Sequence, residues 1–199
     1  MTTRHSSNPN RSIVGATTVA ASAGMGVFAA AVAYFLTYLL AVDQARVAFG
    51  ETVPEWKTVA WFFYNAHLVD LEIAGAFAGF GGTTTVDLIA EANTTSTAVL
   101  YVVPPLVLLG AGALLAYHLD ARAIGEGVLV GAPVTIGYAV VLGIGAIVTR
   151  SDSETTILGV EASGSIGPAL VSAVGLAGVL YPLLFATAGA VLVTLFRSR

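Results

Sequence analysis

No charged side chain occurs between Ile13 and Val42, and that run limits the fold more than any other stretch of the chain. A helix crossing the ~30 Å hydrocarbon of a bilayer needs about 20 mostly apolar residues, whereas the apolar core of a cleavable signal peptide holds only ~7–15. The run is too long for a signal peptide and reads as an uncleaved first span over about 15–41. Three more apolar stretches follow, at about 97–118, 126–148 and 166–195. Together they leave only 10% of residues charged, with 56% hydrophobic and a mean hydropathy of +0.85, against about 25% charged in a soluble domain. The expected fold is an all-α membrane protein with four transmembrane helices. They form a single domain over 13–199, preceded by a disordered cytoplasmic tail at 1–12.

The same composition removes several function classes. The chain has no cysteine, so disulfides, thiolate metal sites and cysteine nucleophiles are excluded. Twelve acids against eight bases give a formal charge of −4. No basic patch is available to meet phosphates, and nucleic acid is not expected as a partner. The lipid bilayer is, together with a membrane protein partner or further copies of the chain. No cofactor is expected.

The long connection from 43 to 96 is the least ordinary part of the sequence. Structureless loops above ~15 residues are uncommon, so it should carry elements of its own. Thr52 followed by Glu55 matches a capping box, and Pro54 suits a first helical turn. A helix is predicted over about 53–70, with Val59, Phe62, Phe63, Ala66 and Val69 on one side. It reads as an amphipathic interfacial helix with Trp56 and Trp61 as headgroup-level anchors. A fifth span through Trp61–Phe80 would bury Asn65, His67, Asp70 and Glu72. An acidic group near mid-membrane costs several kcal/mol, which rules against it. Gly75, Gly79, Gly81 and Gly82 are expected to end the helix in loop, with one short turn over Thr85–Ala92. Residues 149–165 read as a second polar loop.

Orientation follows from the bases. Arg4, Arg11, Arg122, Arg197 and Arg199 accompany two acids at the termini and the 118–126 turn, while Arg46, Lys57 and Arg150 accompany ten acids in the other two loops. The positive-inside rule then places both termini in the cytoplasm of a multi-pass cell-membrane protein.

Candidate chemistry is sparse. On a continuous helix His67 and Asp70 share a face, and with Tyr64 and Asn65 they form a candidate polar site for a proton or a polar group. A metal needs three or four ligands, and the local sequence offers two. The simpler reading is that His67 and Asp70 pair and tie the helix to the bundle. The spans carry no charged side chain in their interiors, which counts against a proton-driven transporter. Pro104, Pro105, Pro133 and Pro182 interrupt three spans and are expected to kink them, freeing carbonyls that can meet a cation where a cavity exists. Gly26 lies on a small-residue face with Ser22 and Ala30, and Gly127 and Gly131 form a GxxxG pair, both suited to close helix packing. Asn93-Thr94-Thr95 matches a glycosylation acceptor.

The first span, the stretch Trp56-Lys57-x-x-x-Trp61-Phe62-Phe63-Tyr64-Asn65-Ala66-His67 and the Pro104-Pro105 pair together resemble a family of four-span membrane proteins from salt-loving archaea. The acid-rich, lysine-poor composition agrees with such a source. The resemblance implies the architecture and carries over no catalytic or binding residue. The function expected is that of a non-enzymatic structural or accessory subunit. A small oligomeric transporter or channel is the alternative, and a membrane enzyme using Tyr64, His67 and Asp70 comes third.

Overall fold

The computed structural model describes residues 15–50, 52–78, 80–92, 95–157 and 160–197. The expected tail at 1–12 and the Asn93 acceptor lie outside these residues.

Four helical segments are long and apolar enough to cross a membrane: Ala16–Phe49, Val99–His118, Ile124–Thr149 and Leu170–Arg197. The first is one helix, α1 (Ala16–Phe49), about 51 Å long at 1.5 Å per residue. It overshoots a ~30 Å hydrocarbon layer and reaches out with Asp43, Arg46 and Phe49. The second begins as a 3₁₀ turn (Val99–Val102) and continues as α5 (Val103–His118), preceded by the short helices α3 (Leu88–Ala92) and α4 (Thr95–Ala98). Pro104 and Pro105 stand in the first turn of α5, directly after the 3₁₀ turn, where proline's fixed φ suits a helix start. They start this helix and do not kink its middle. Pro133 does divide the third span, into α6 (Ile124–Gly131) and α7 (Val134–Thr149). The fourth opens with α8 (Leu170–Ser172), widens into a π-helical stretch (Ala173–Leu180) and tightens again as α9 (Tyr181–Arg197). Pro182 cannot donate to the fourth carbonyl before it and its ring crowds that carbonyl, and the wider turns just ahead of it relieve both problems.

Glycine brings the helices to backbone contact. A Cβ on Gly26 would strike the Val134 carbonyl, and one on Gly137 the Ala23 carbonyl, which fixes α1 on α7. The same holds for Gly112 against Ala186 and Gly189 against Leu109, between α5 and α9. Gly127 and Gly131 face Val191, Thr194, Thr187 and Ala190 of α9, so this GxxxG pair packs within the chain. Dispersion and close approach hold helices together in lipid, where the solvent is as apolar as the side chains.

The all-α expectation is corrected by a four-stranded antiparallel sheet. β1 (Leu71–Phe77) pairs with β2 (Phe80–Val86), β3 (Ser151–Ile157) pairs with β4 (Val160–Pro168), and β1 joins β4, giving the order β2-β1-β4-β3. The glycines read as loop sit in register, Gly75 opposite both Gly82 and Gly164. Side chains alternate across a strand, so the pairing sorts the sheet into two faces. One carries Glu72, Thr83, Thr85, Asp152, Glu154, Ser163 and Ser165; the other carries Leu71, Ile73, Phe77, Phe80, Val86 and Ile166. The sheet leaves the bundle from its Leu71 and Pro168 end, which is buried, and Phe77 and Phe80 at the far tip are 52% and 83% exposed.

The closeness of these helices generates a paired prediction. Gly112→Val should lower the unfolding midpoint in detergent by the equivalent of about 1–3 kcal/mol, as overpacking does. Gly110→Val, on the same helix with open space around it, should stay within about 0.5 kcal/mol. Equal effects at both positions would mean that α5 and α9 do not meet as described.

Candidate functional site

The helix predicted over 53–70 is α2 (Glu55–Asn65), shorter than expected and buried from Thr58 to Asn65. The capping box is absent: the N-cap position is Pro54, with no side-chain cap bond. Glu55 instead accepts hydrogen bonds from the Tyr38 hydroxyl and from Arg46 Nε, the latter at 2.6 Å, and these two partners hold its carboxyl below the usual range. The helix ends early because the chain closes a Schellman turn. Leu68 N–H reaches the Asn65 carbonyl at 2.8 Å and Val69 N–H the Tyr64 carbonyl at 3.1 Å. Leu68 takes the left-handed conformation, φ 60°, that glycine usually fills. Val69 then packs beside Tyr64 in the core, and Asn65 locks the turn by donating to the Val69 carbonyl and accepting from Leu88 N–H.

Three side chains fasten this segment along α7. Trp61 Nε1 donates to the Thr149 carbonyl at 3.1 Å, and the Tyr64 hydroxyl donates to the Leu142 carbonyl at 2.5 Å. His67 Nε2 lies 2.7 Å from the Tyr138 hydroxyl. From Thr149 back to Tyr138 is about 16 Å of helix, so the three bonds are spread along most of α7. The segment is buried against α7 inside the bundle, and only Trp56 at its start remains half exposed. Tyr64 is buried beside Phe63, and burial raises its phenol pKa.

His67 is fully buried between Phe63, Tyr138 and Tyr181, with ring centroids 4.6, 5.8 and 5.2 Å away. Its Nδ1 lies 2.7 Å from the Phe63 carbonyl, which can only accept, so Nδ1 carries the proton. Nε2 is then the lone-pair nitrogen and accepts from the Tyr138 hydroxyl. Burial pushes the imidazole below its ordinary pKa, partly offset by the Phe63 carbonyl, and the ring is neutral near pH 7. Asp70 does not pair with it. The Schellman turn separates the two, Asp70 is exposed, and its carbonyl accepts from Ala169 N–H. The expected His67–Asp70 pair is thus replaced by a His67–Tyr138 pair across 71 residues.

Of the residues named from sequence, the structure brings Trp61, Tyr64, Asn65 and His67 together and leaves Trp56 half exposed and Asp70 outside. Tyr138 was not singled out for the site; an aromatic hydroxyl in an otherwise apolar span was the available signal. Among the described residues no group of three or more His, Asp or Glu side chains is placed to hold a metal. The cluster can orient helices and hold a neutral imidazole.

Four apolar spans, an inserted helix and a sheet closed from two loops define a multi-pass membrane protein class with a fixed internal scaffold. The chain belongs to DUF7978, a family of unknown function, whose model matches residues 1–197. No curated protein and no solved structure matches it.

Two outcomes test the His67 site. Tyr138→Phe leaves Nε2 without a partner and should cost about 1–3 kcal/mol of stability. In the pH dependence, a lowered folded pKa means that the unfolded state binds the proton first. Stability is therefore complete above about 6.5 and falls as pH drops toward the folded value. His67→Gln should remove that part of the slope in detergent melts, and an unchanged slope would contradict a buried neutral imidazole.

Proposed function

We propose that this chain is a non-enzymatic integral membrane protein that serves as a structural or accessory subunit, with its sheet as the docking element. The observation that carries the reading is the sheet's uncovered apolar face, where Ile73, Phe77 and Phe80 reach solvent at 36%, 52% and 83%. An exposed apolar strip on a rigid sheet, backed by an acidic face, suits a protein contact. The two hairpins come from loops between different spans, so a partner seated there would meet a surface fixed to the whole bundle. The base counts support a cell-membrane location with both termini cytoplasmic and the sheet outside. One lysine among eight bases supports a source among salt-loving archaea. Residues 13–199 form one domain in this reading.

The alternative is an oligomeric transporter or channel, favoured by the break at Pro133 and the π-helical stretch before Pro182, since irregular backbone at membrane depth is common in transporters. Backbone contact at Gly26, Gly112, Gly137 and Gly189 supports the subunit reading over a path through one bundle.

The absence of native cysteine makes the topology directly readable. Thr84→Cys should react with a membrane-impermeant maleimide in intact cells, and Ala123→Cys only after lysis; the reverse pattern would invert the orientation. A photo-crosslinker at Thr84 should capture one stoichiometric protein partner, and Phe80→Asp should abolish the capture without lowering the melting temperature. Capture that survives Phe80→Asp, or yields only copies of the chain itself, would sink the accessory reading.

A further inference from the structure

A groove on the lipid side of the bundle follows from how α2 enters it. α1 and α7 touch at Gly26 and Gly137. Farther toward the sheet α2 wedges between them, with Phe63 edge-on to Tyr34 and Tyr64 bonded to Leu142. The helices are held apart there, and small residues on the walls leave a cleft of about 280 Å³ whose lining includes Ala31, Tyr34, Trp56, Phe63, Val141 and Val148. That is just below the ~300–1,000 Å³ range of drug-sized ligand sites and suits a narrow apolar chain. Val27, Trp56 and Val148 are each about half exposed, so the cleft opens sideways, toward lipid in a chain that spans the membrane.

A cation stands next to one of the lining residues. Trp56 and Thr149 mark the sheet end of the groove. Beside them the Lys57 ammonium donates to the Arg150 carbonyl at 2.8 Å and stands 5.7 Å from the centroid of the Trp56 ring. Arg46, Arg122, Arg150 and Arg197 all have carboxylate partners, and Lys57 has none among the described residues. An ammonium has three donors, and among the described residues one is used. In a chain with twelve acids and eight bases, a lysine without a carboxylate partner among the described residues, standing beside the headgroup end of an apolar cleft, is complementary to an anion carrying a hydrocarbon chain.

We propose that this groove retains one membrane lipid with a net-negative head group. One hydrocarbon chain lies between α1 and α7 against Phe63 and Val141, and a phosphate oxygen accepts from Lys57. The site rests on the membrane-spanning reading of the helices and is independent of the role proposed for the sheet.

The test is native mass spectrometry of the full chain in mild detergent, titrated with phosphatidylglycerol and phosphatidylcholine of identical acyl chains. One phosphatidylglycerol should bind at least about fivefold more tightly than phosphatidylcholine, the factor expected for one basic side chain at a membrane surface. Lys57→Gln should erase that preference, while Arg122→Gln at the opposite end should keep it. Ala31→Phe should weaken both lipids by filling the groove, and Val148→Phe on the opposite wall repeats the test if the first variant melts early. Equal binding of the two lipids by the native chain would overturn the proposal. So would a preference that survives Lys57→Gln or is lost equally in Arg122→Gln, or binding unaffected by both groove-filling changes.

Discussion

Buried where neither water nor lipid can supply a hydrogen bond, the indole of Trp61, the phenol of Tyr64 and the imidazole of His67 must find partners inside the protein, and all three find them on α7. An unsatisfied buried polar group costs on the order of 1–3 kcal/mol, so these contacts also fix the register of α2 against α7. Tyr64 uses the mid-helix carbonyl of Leu142 and so its second lone pair, whereas Trp61 satisfies the carbonyl of Thr149, the last residue of α7, which a helix leaves without a partner of its own. Once α2 is set, the Schellman turn at Leu68 directs the chain out of the bundle, and β1 begins at a defined point beside Pro168.

The polar clasp and the glycine contacts divide the labour along the same helix pair. Near Gly26 and Gly137, α1 and α7 meet backbone to backbone and dispersion suffices. Toward the sheet, aromatic side chains hold the helices apart and hydrogen bonds replace contact area. Glu55 adds a third fastening at the start of α2, gathering Tyr38 and Arg46 of α1 onto one carboxylate. Because Arg46 is well exposed, that pair contributes little by itself; its effect is to choose the direction in which α2 leaves α1.

The spans were legible because a bilayer imposes a simple rule, length without charge, that Ile13–Val42 and its three successors obey. The candidate site was legible in its residues and wrong in its geometry. Tyr64, Asn65 and His67 stood out, but the helix end did not, since Leu68 gives no glycine signal for a left-handed turn. That hidden turn separated His67 from Asp70 and turned the imidazole toward Tyr138, a partner far off in sequence. The sheet was missed for a different reason. Leu71, Ile73 and Phe77 alternate with Glu72, Ala74 and Ala76 as a strand should, yet four glycines and a polar run of threonines dilute the pattern. The decisive partner of β1 is β4, and pairing over that separation leaves no local mark.

That separation sets the order in which the protein can be built. β1 is complete on the ribosome when Phe77 has been added, but its neighbour β4 runs from Val160 to Pro168. Synthesis at ~5–20 residues per second makes β1 wait several seconds, through insertion of two further spans. A lone two-stranded hairpin is marginal in water, so β1 and β2 spend that interval without their stabilising edge. The sheet therefore acts as a closing latch, engaged only when the third span is in place. Arrival of the fourth span then completes a bundle whose first and last loops are already joined.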